Sequence, residues 1–421
     1  MGAQRSPVDR LPPERGCVVT TGRRAVVRLG AIVVGELVED ELGAITFRID
    51  RAYEAMPDRP VLGQWFEDHP RVVHRGERPG RLPAYFWNLI PEGDLRLLLA
   101  ERNGISLGDD FGLLCAVGND LPGAIVVEPA VGVPPVGVES RVAEPGDSGF
   151  QFSLAGVQLK FSLVARGGRF ALPGRGERGD WIAKIAFAAY PQLAQNEWVT
   201  MDWARRLGFE VPERELVPLG ELTEIPHEGD PASLAYLIRR YDRDGARRIH
   251  QEDLQQVAGR RPDGKYDDVT YDKLGIASRA LLGDDGSEFL RRLAFIVASG
   301  NSDAHMKNWS VIYRDGVTAT WSPLYDQVFV CQWSNFRQRL ALKIDGTKEW
   351  AALDVGHLKE FAGRVGEPPQ RTLDLFQDVI RRAATVWGEL RDHPHVTSEY
   401  RQALREHWRR VPLLRPHALL I

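Results

Sequence analysis

The apolar residues change their period near residue 244, and this change limits the possible folds more than any other feature of the chain. From Gln151 to about Arg243 they fall in short, strand-like runs. Beyond Asp244 they recur at spacings of three and four, as in Leu373, Phe376, Ile380 and Ala384. Period two suits a strand buried on one face, and spacings of three and four suit one stripe of a helix. Strands followed by helices give the α+β order, whereas a doubly wound parallel sheet would alternate the two. At 421 residues the chain is longer than one core usually serves, so two or three domains are expected.

The earlier part of the chain has its own pattern. Runs at 17–20, 25–29, 32–34 and 45–49, separated by glycines, read as a small antiparallel sheet. A helix is expected over 94–103 with Asp94 as its N-cap, and a second over 111–117. A turn at 118–124 leads to a strand at 125–128. Residues 129–149 are rich in proline and glycine without periodicity and read as a linker. Strands are then expected at 161–164, 181–185 and 236–241, with one helix at 195–207. Later helices are expected at 251–258, 273–281, 287–299, 373–391 and 398–410. The domains are placed at 17–130, 151–246 and 247–421, with 131–150 as linker.

Composition narrows the class of function. Hydrophobic residues make up 43% of the chain, enough for real cores. Net charge is -4, from 54 basic and 58 acidic residues, so no global positive charge drives it onto nucleic acid. The three cysteines, Cys17, Cys115 and Cys331, are scattered and show no metal spacing, which fits a reducing cytoplasm. No apolar run is long enough to span a membrane.

Chemistry is concentrated in Asn301-Ser302-Asp303-Ala304-His305-Met306-Lys307-Asn308 and in Pro323-Leu324-Tyr325-Asp326. Phosphoryl transfer needs a carboxylate to take a hydroxyl proton, oxygen ligands for Mg²⁺, and a cation for phosphate charge. Asp303, Asn308, Asp326 and Lys184 supply that set, and the step from Asp303 to Asn308 is the one found in protein-kinase catalytic loops. A polar turn capping a helix would use similar residues. Lys184 has apolar neighbours in an expected strand and is placed to meet phosphates; a solvated edge lysine is the plain alternative. Glu197, on the following helix, is the candidate partner for Lys184, or else an exposed first-turn glutamate. The segment 152–163 reads as strand, turn at Gly156, strand. By itself it is an ordinary hairpin. His305 has no second histidine at metal spacing and is expected to organise the loop. There is no Gly-x-Ser-x-Gly elbow.

Taken together these segments resemble the HipA family of bacterial serine/threonine kinases, the toxins of HipBA-type toxin–antitoxin modules. Ser153-Leu-Ala-Gly-Val-Gln-Leu-Lys160 looks like the family's Ser-x-Ala-Gly-x-Gln-x-Lys loop. Asn301–Asn308 is similar to its catalytic loop, Leu324-Tyr325-Asp326 to its metal motif, and Arg248–Leu254 to a further signature. Leu89–Gly93 and Gly118–Ala124 resemble its N-terminal domain, which suggests the full-length form.

The resemblance implies a protein-kinase-like two-lobe fold: a strand-rich ATP lobe and an all-helical C-terminal lobe, preceded by a small α+β domain. It implies ATP and Mg²⁺ as cofactors, Asp303 as catalytic base, and Asn308 and Asp326 as metal ligands. Ser153, Ala155, Gly156, Val157, Gln158, Lys160, Lys184, Arg239, Tyr241, His305 and Lys307 would line the ATP site, with Ser153 also autophosphorylated. Arg239-Arg240 departs from the family, where an acidic residue often stands beside an arginine.

The implied substrate is a translation-related protein of the aminoacyl-tRNA synthetase type, with growth arrest as the result. The implied partner is a small helix-turn-helix antitoxin, through which alone the chain would meet DNA. Two other readings use the same residues: an inactive kinase-fold corepressor and a small-molecule phosphotransferase.

Overall fold

The computed structural model describes residues 22–130, 158–167, 169–173, 177–186, 190–223, 225 and 230–421. The strand expected at 17–20, nearly all of the linker, and the loop holding Ser153, Ala155, Gly156 and Val157 lie outside them. Among the described residues no helix is long and apolar enough to cross a membrane.

The N-terminal part is built on a five-stranded antiparallel sheet. Its order is His74–Arg75, Ile45–Ile49, Ile32–Glu39, Arg24–Leu29 and Ile125–Pro129. Along Arg24–Leu29 the residues alternate, Ala25, Val27 and Leu29 being buried and Arg24 exposed, so one face forms the core with Phe47, Phe66 and Phe86. The helix expected at 94–103 runs Gly93–Arg102, and Asp94 is not its N-cap. Gly93, at φ +57°, turns the chain in one residue earlier and makes Glu92 the cap. Asp94 is left buried in the first turn, where a carboxylate suits the positive end of the helix.

The next part is a six-stranded sheet, ordered Leu222–Thr223, Arg169–Ala171, Gln158–Arg166, Trp181–Ala186, Leu234–Arg239 and Arg214–Pro218. The helix Leu193–Arg206 packs against the last three of these strands, Trp181–Ala186, Leu234–Arg239 and Arg214–Pro218. The strand expected at 236–241 stops at Arg239, because Arg240 turns inward to Asp120 and Asp242.

The helical lobe contains Tyr271–Leu282, Ser287–Ser299, Val355–Arg364, Pro369–Leu390 and Ser398–Arg410 around a large core with Trp203, Phe295 and Trp387. The helix Val355–Arg364 has no counterpart in the sequence reading. This lobe also carries a three-stranded sheet, His250–Asp253, Ser310–Tyr313 and Thr320–Trp321. The helix expected at 251–258 therefore opens as a strand and is helical only over Leu254–Val257. Asp253 fixes the switch by a capping box: it accepts from the Gln256 amide at 2.8 Å, and the Gln256 side chain accepts from the Asp253 amide at 3.1 Å.

Buried polar contacts join the N-terminal part to the rest. Asp120 Oδ1 accepts from Arg240 at 2.8 Å and Arg243 at 3.1 Å, and its Oδ2 accepts from the Gly179 amide at 3.2 Å and the Ser162 hydroxyl. Asp242 accepts from the Gly123 amide at 2.7 Å, and Arg248 donates to the Leu121 carbonyl at 2.6 Å. Removing one member of such a network strands buried charge. Asp120→Ala should lower unfolding stability by about 2 kcal/mol. A urea midpoint equal to that of the unaltered protein would contradict this.

Candidate functional site

The antiparallel register places Lys160 directly opposite Lys184, and Lys184 opposite Tyr236, in one row across three strands. Directly opposed residues share a face, so two ammonium groups project together. Like charges so placed repel unless an anion stands between them. That anion is Asp326. Its Oδ2 accepts from Lys160 at 2.9 Å and its Oδ1 from Lys184. Lys184 also pairs with Glu197, which the helix Leu193–Arg206 presents, fully buried, to the same face. Both plain alternatives for this pair therefore fail: Lys184 is no edge lysine and Glu197 is not exposed.

Two neighbouring devices hold the Asp326 loop in place. Asn196, beside Glu197, accepts from the Phe329 amide at 2.9 Å and donates to the Phe329 carbonyl at 3.1 Å. Asn301 donates to the Asp326 carbonyl at 3.2 Å and accepts from the Asp303 amide at 3.1 Å, linking the two loops. Asp326 itself lies at φ +54°, a left-handed conformation rare for a non-glycine residue and common where function constrains the backbone. The helix Ser287–Ser299 ends at Gly300, also left-handed, where a Cβ would lie 2.9 Å from the Phe329 ring. Only glycine launches the 301–308 loop at that point.

Burial alone would raise the Asp326 carboxyl. Lys160 and Lys184 overcome it and hold the group well below the usual carboxylate range. Burial works against Lys184 too, but Asp326 and Glu197 keep it raised and charged. Asp303 is raised, chiefly by burial. Burial drives His305 well below its ordinary value, so the imidazole is neutral. His305 donates its amide to the Asp303 carbonyl at 2.7 Å, an organising contact within the loop, and its Nδ1 is buried without a partner.

The residues fit a magnesium ion. Asn308 Oδ1 is buried without a hydrogen-bond partner, while Asn308 Nδ2 stands 3.4 Å from Asp326 Oδ2. An orphaned amide oxygen beside a carboxylate is a hard-oxygen pair suited to Mg²⁺. Among the described residues no group of three or more His, Cys, Asp or Glu gathers for a metal. Mg²⁺ at kinase sites commonly takes only one or two protein oxygens, with phosphate and water supplying the others.

Lys160, Lys184, Asp303, His305, Lys307, Asn308 and Asp326 all line one cavity of about 1820 Å³. Tyr241 and Arg239 line it as well, from the segment between the lobes. Tyr241 donates to Gln251, and its ring lies 5.8 Å from that of Tyr325. Arg239 is exposed and pairs with Glu213 at 3.2 Å. Gln158 begins the strand that carries Lys160.

Several site residues escaped the sequence reading. Lys307 pairs at 2.6 Å with Glu92, which reaches in from the N-terminal part, and Glu92 stands 4.0 Å from Lys265. Tyr266 donates its hydroxyl to Asp303 Oδ1. Glu92 entered the sequence reading only within a segment leading into a helix, and Lys265-Tyr266 falls between two expected helices in a stretch given no element.

Asp326 supplies a pH test. Its folded-state pKa lies below the unfolded value of about 3.9, so its contribution to stability is whole above about pH 4 and is lost as pH falls toward the folded value. Asp326→Asn lacks this contribution at every pH. The stability gap between the two proteins should be steady from about pH 7 to 5 and narrow below about pH 4. Urea midpoints whose gap stays constant to about pH 3 would contradict the assignment.

Comparison with known proteins adds the following. A family model described as the HipA-like C-terminal domain matches residues 152–387, and one described as the HipA N-terminal domain matches 25–128. Y4dM of Sinorhizobium fredii is 34% identical over 401 residues, covering 93% of this chain and 98% of its own. The serine/threonine-protein kinase toxin HipA of Shewanella oneidensis is 26% identical, over 86% of this chain and 88% of its own. The solved complex of HipA, HipB and operator DNA from Shewanella oneidensis shares the fold, at TM-score 0.72 and 23% identity, covering 93% of this chain and 96% of that one.

Proposed function

This chain belongs to the HipA family of kinases, and on that premise we propose that it moves the γ-phosphate of ATP to a protein serine or threonine. The observation that carries the reading is the shared carboxylate of Asp326, held by Lys160 and Lys184 beside the orphaned Asn308 oxygen. Catalysis of phosphoryl transfer is mostly positioning and neutralisation of charge, and these groups suit both tasks.

Asp303 is the base. It takes the proton as the acceptor Oγ–H bond breaks, the Oγ–Pγ bond forms, and the bond from Pγ to ADP breaks. Burial raises its pKa, which makes its carboxylate a stronger base than an exposed aspartate. Asn308 and Asp326 would hold Mg²⁺, which when bound would neutralise charge on the phosphates. Lys160 and Lys184, now on Asp326, and Lys307, now on Glu92, would receive phosphate oxygens. Glu197 keeps Lys184 aimed. Tyr241, with Arg239 at the rim, bounds the adenine side, and the family resemblance implies phosphate contacts for the 153–158 segment.

The finer reading follows from the family. The substrate is a translation-related protein of the aminoacyl-tRNA synthetase type, and the chain acts in the cytoplasm as the toxin of a toxin–antitoxin module. The likeness to a protein solved with HipB and operator DNA supports a small DNA-binding antitoxin as partner. Ser153 is the site of self-phosphorylation. A phosphate there adds up to about two negative charges beside those of the nucleotide and expels the loop.

Asp303→Asn and, separately, Asp326→Asn should lower phosphate transfer from Mg-ATP by at least about 10²-fold. Intact mass should show one added phosphate, at Ser153, in the unaltered protein and none in either variant. Expression without the antitoxin should slow growth, and the Asp303 variant should not. Near-normal turnover in either variant would overturn the residue roles, and equal growth at matched protein levels would overturn the toxin role.

A further inference from the structure

An acceptor hydroxyl must donate a hydrogen bond to the base before it can attack. In this structure that bond is already made, because the Tyr266 phenol donates to Asp303 Oδ1. Tyr266 lies on the loop between the turn Pro262–Gly264 and the helix Tyr271–Leu282, outside any regular element. Three contacts steady it without burying it. The Arg337 guanidinium lies 4.5 Å from the ring centroid, the His305 ring meets it edge-on at 5.3 Å, and the adjacent Lys265 faces Glu92 at 4.0 Å. The ring is half-buried and lines the same cavity as Asp303 and Lys307. The phenol is thus held at the base by contacts that a loop movement can release.

We propose that Tyr266 is an acceptor-gating residue: its hydroxyl keeps the acceptor's place on Asp303, excludes water, and yields only to a substrate serine or threonine. The proposal rests on the kinase reading above and adds to it a source of selectivity. A free water molecule reaching Asp303 would attack ATP and release inorganic phosphate. Water has no other contact with the protein to offset displacing the phenol. A protein substrate does, because binding of its flanking residues can move the 265–266 loop. Discrimination then arises at the base itself, from a hydrogen bond that one class of acceptor can replace and the other cannot.

The position of Tyr266 separates this role from simple orientation of Asp303. The Asp303 amide is already fixed by Asn301, and its carbonyl by His305, so the loop backbone does not need the phenol. A residue that only oriented the base would, on losing its hydroxyl, slow every reaction that uses Asp303. A gate on losing its hydroxyl instead speeds the reaction with water and spares the reaction with protein.

Tyr266→Phe in the full chain is the test, since it removes the hydroxyl and keeps the ring under Arg337. Phosphate release from Mg-ATP and phosphorylation of Ser153 are measured as initial rates in the same samples. Hydrolysis should rise about tenfold, the factor that one lost hydrogen bond to a charged group represents, with Ser153 phosphorylation retained. Tyr266→Ala, which opens the site further, should raise hydrolysis at least as much. Unchanged hydrolysis beside normal Ser153 phosphorylation would overturn the gate and leave the kinase reading standing. So would a phosphate mapped to Tyr266, which would make it an acceptor. Absence of both activities in the unaltered protein would overturn the kinase reading and the gate with it.

Discussion

The carboxylate of Asp326, shared between two lysines, is the contact on which the arrangement of this site depends. Lys160 and Lys184 sit opposite each other on adjacent strands, and without an anion between them their charges would push the strands' side chains apart. Asp326 comes from the other lobe and closes the gap. One ionic cluster thereby sets the distance between the strand-rich sheet and the loop after the catalytic loop. Glu197 balances the second lysine, and Asn196 on the same helix pins the Asp326 loop at Phe329. Under the proposed function, the charges that hold the lobes together are also those that nucleotide and metal would engage.

The N-terminal part belongs to this machinery in a physical sense. Asp120 gathers two arginines from the segment between the lobes, Ser162 from the six-stranded sheet and the Gly179 amide just before the strand Trp181–Ala186. Glu92 reaches as far as Lys307 in the catalytic loop. Lys160, Lys184, Lys307 and Asp303 are each paired with the protein's own groups. Glu92 stands where phosphate charge would attract Lys307, and Tyr266 stands where a hydroxyl would meet Asp303. Buried charge left unpaired is costly, and these contacts satisfy it.

Much of this was legible in the sequence because it depends on local pattern. The apolar run around Lys184 marked a strand, the helix 287–299 was marked by its apolar spacing, and the steps from Asp303 to Asn308 and on to Asp326 pointed to residues that line one cavity. What stayed hidden depends on contacts between distant segments. Residues 250–253 carry no strand signal of their own; they are extended because Ser310–Tyr313 pairs with them, and the Asp253 capping box then starts the helix. Asp94 has the composition of a cap, but Gly93 takes the turn that would have made it one. Arg240 reads as the end of a strand until Asp120, far away in the chain, draws it inward. Tyr266 was hidden among loop residues, since nothing local marks a tyrosine whose partner lies 37 residues on.

The most direct measurement is a calorimetric titration of ATP into the full chain, with and without Mg²⁺, for the unaltered protein and for Asn308→Ala. The Asn308 oxygen is buried next to Asp326 with no hydrogen-bond partner, and a metal would satisfy it. The unaltered protein should bind ATP at least about tenfold more tightly with Mg²⁺, and Asn308→Ala should lose most of that difference. Equal affinities with and without Mg²⁺ in the unaltered protein, or a difference that survives in Asn308→Ala, would contradict the site as described.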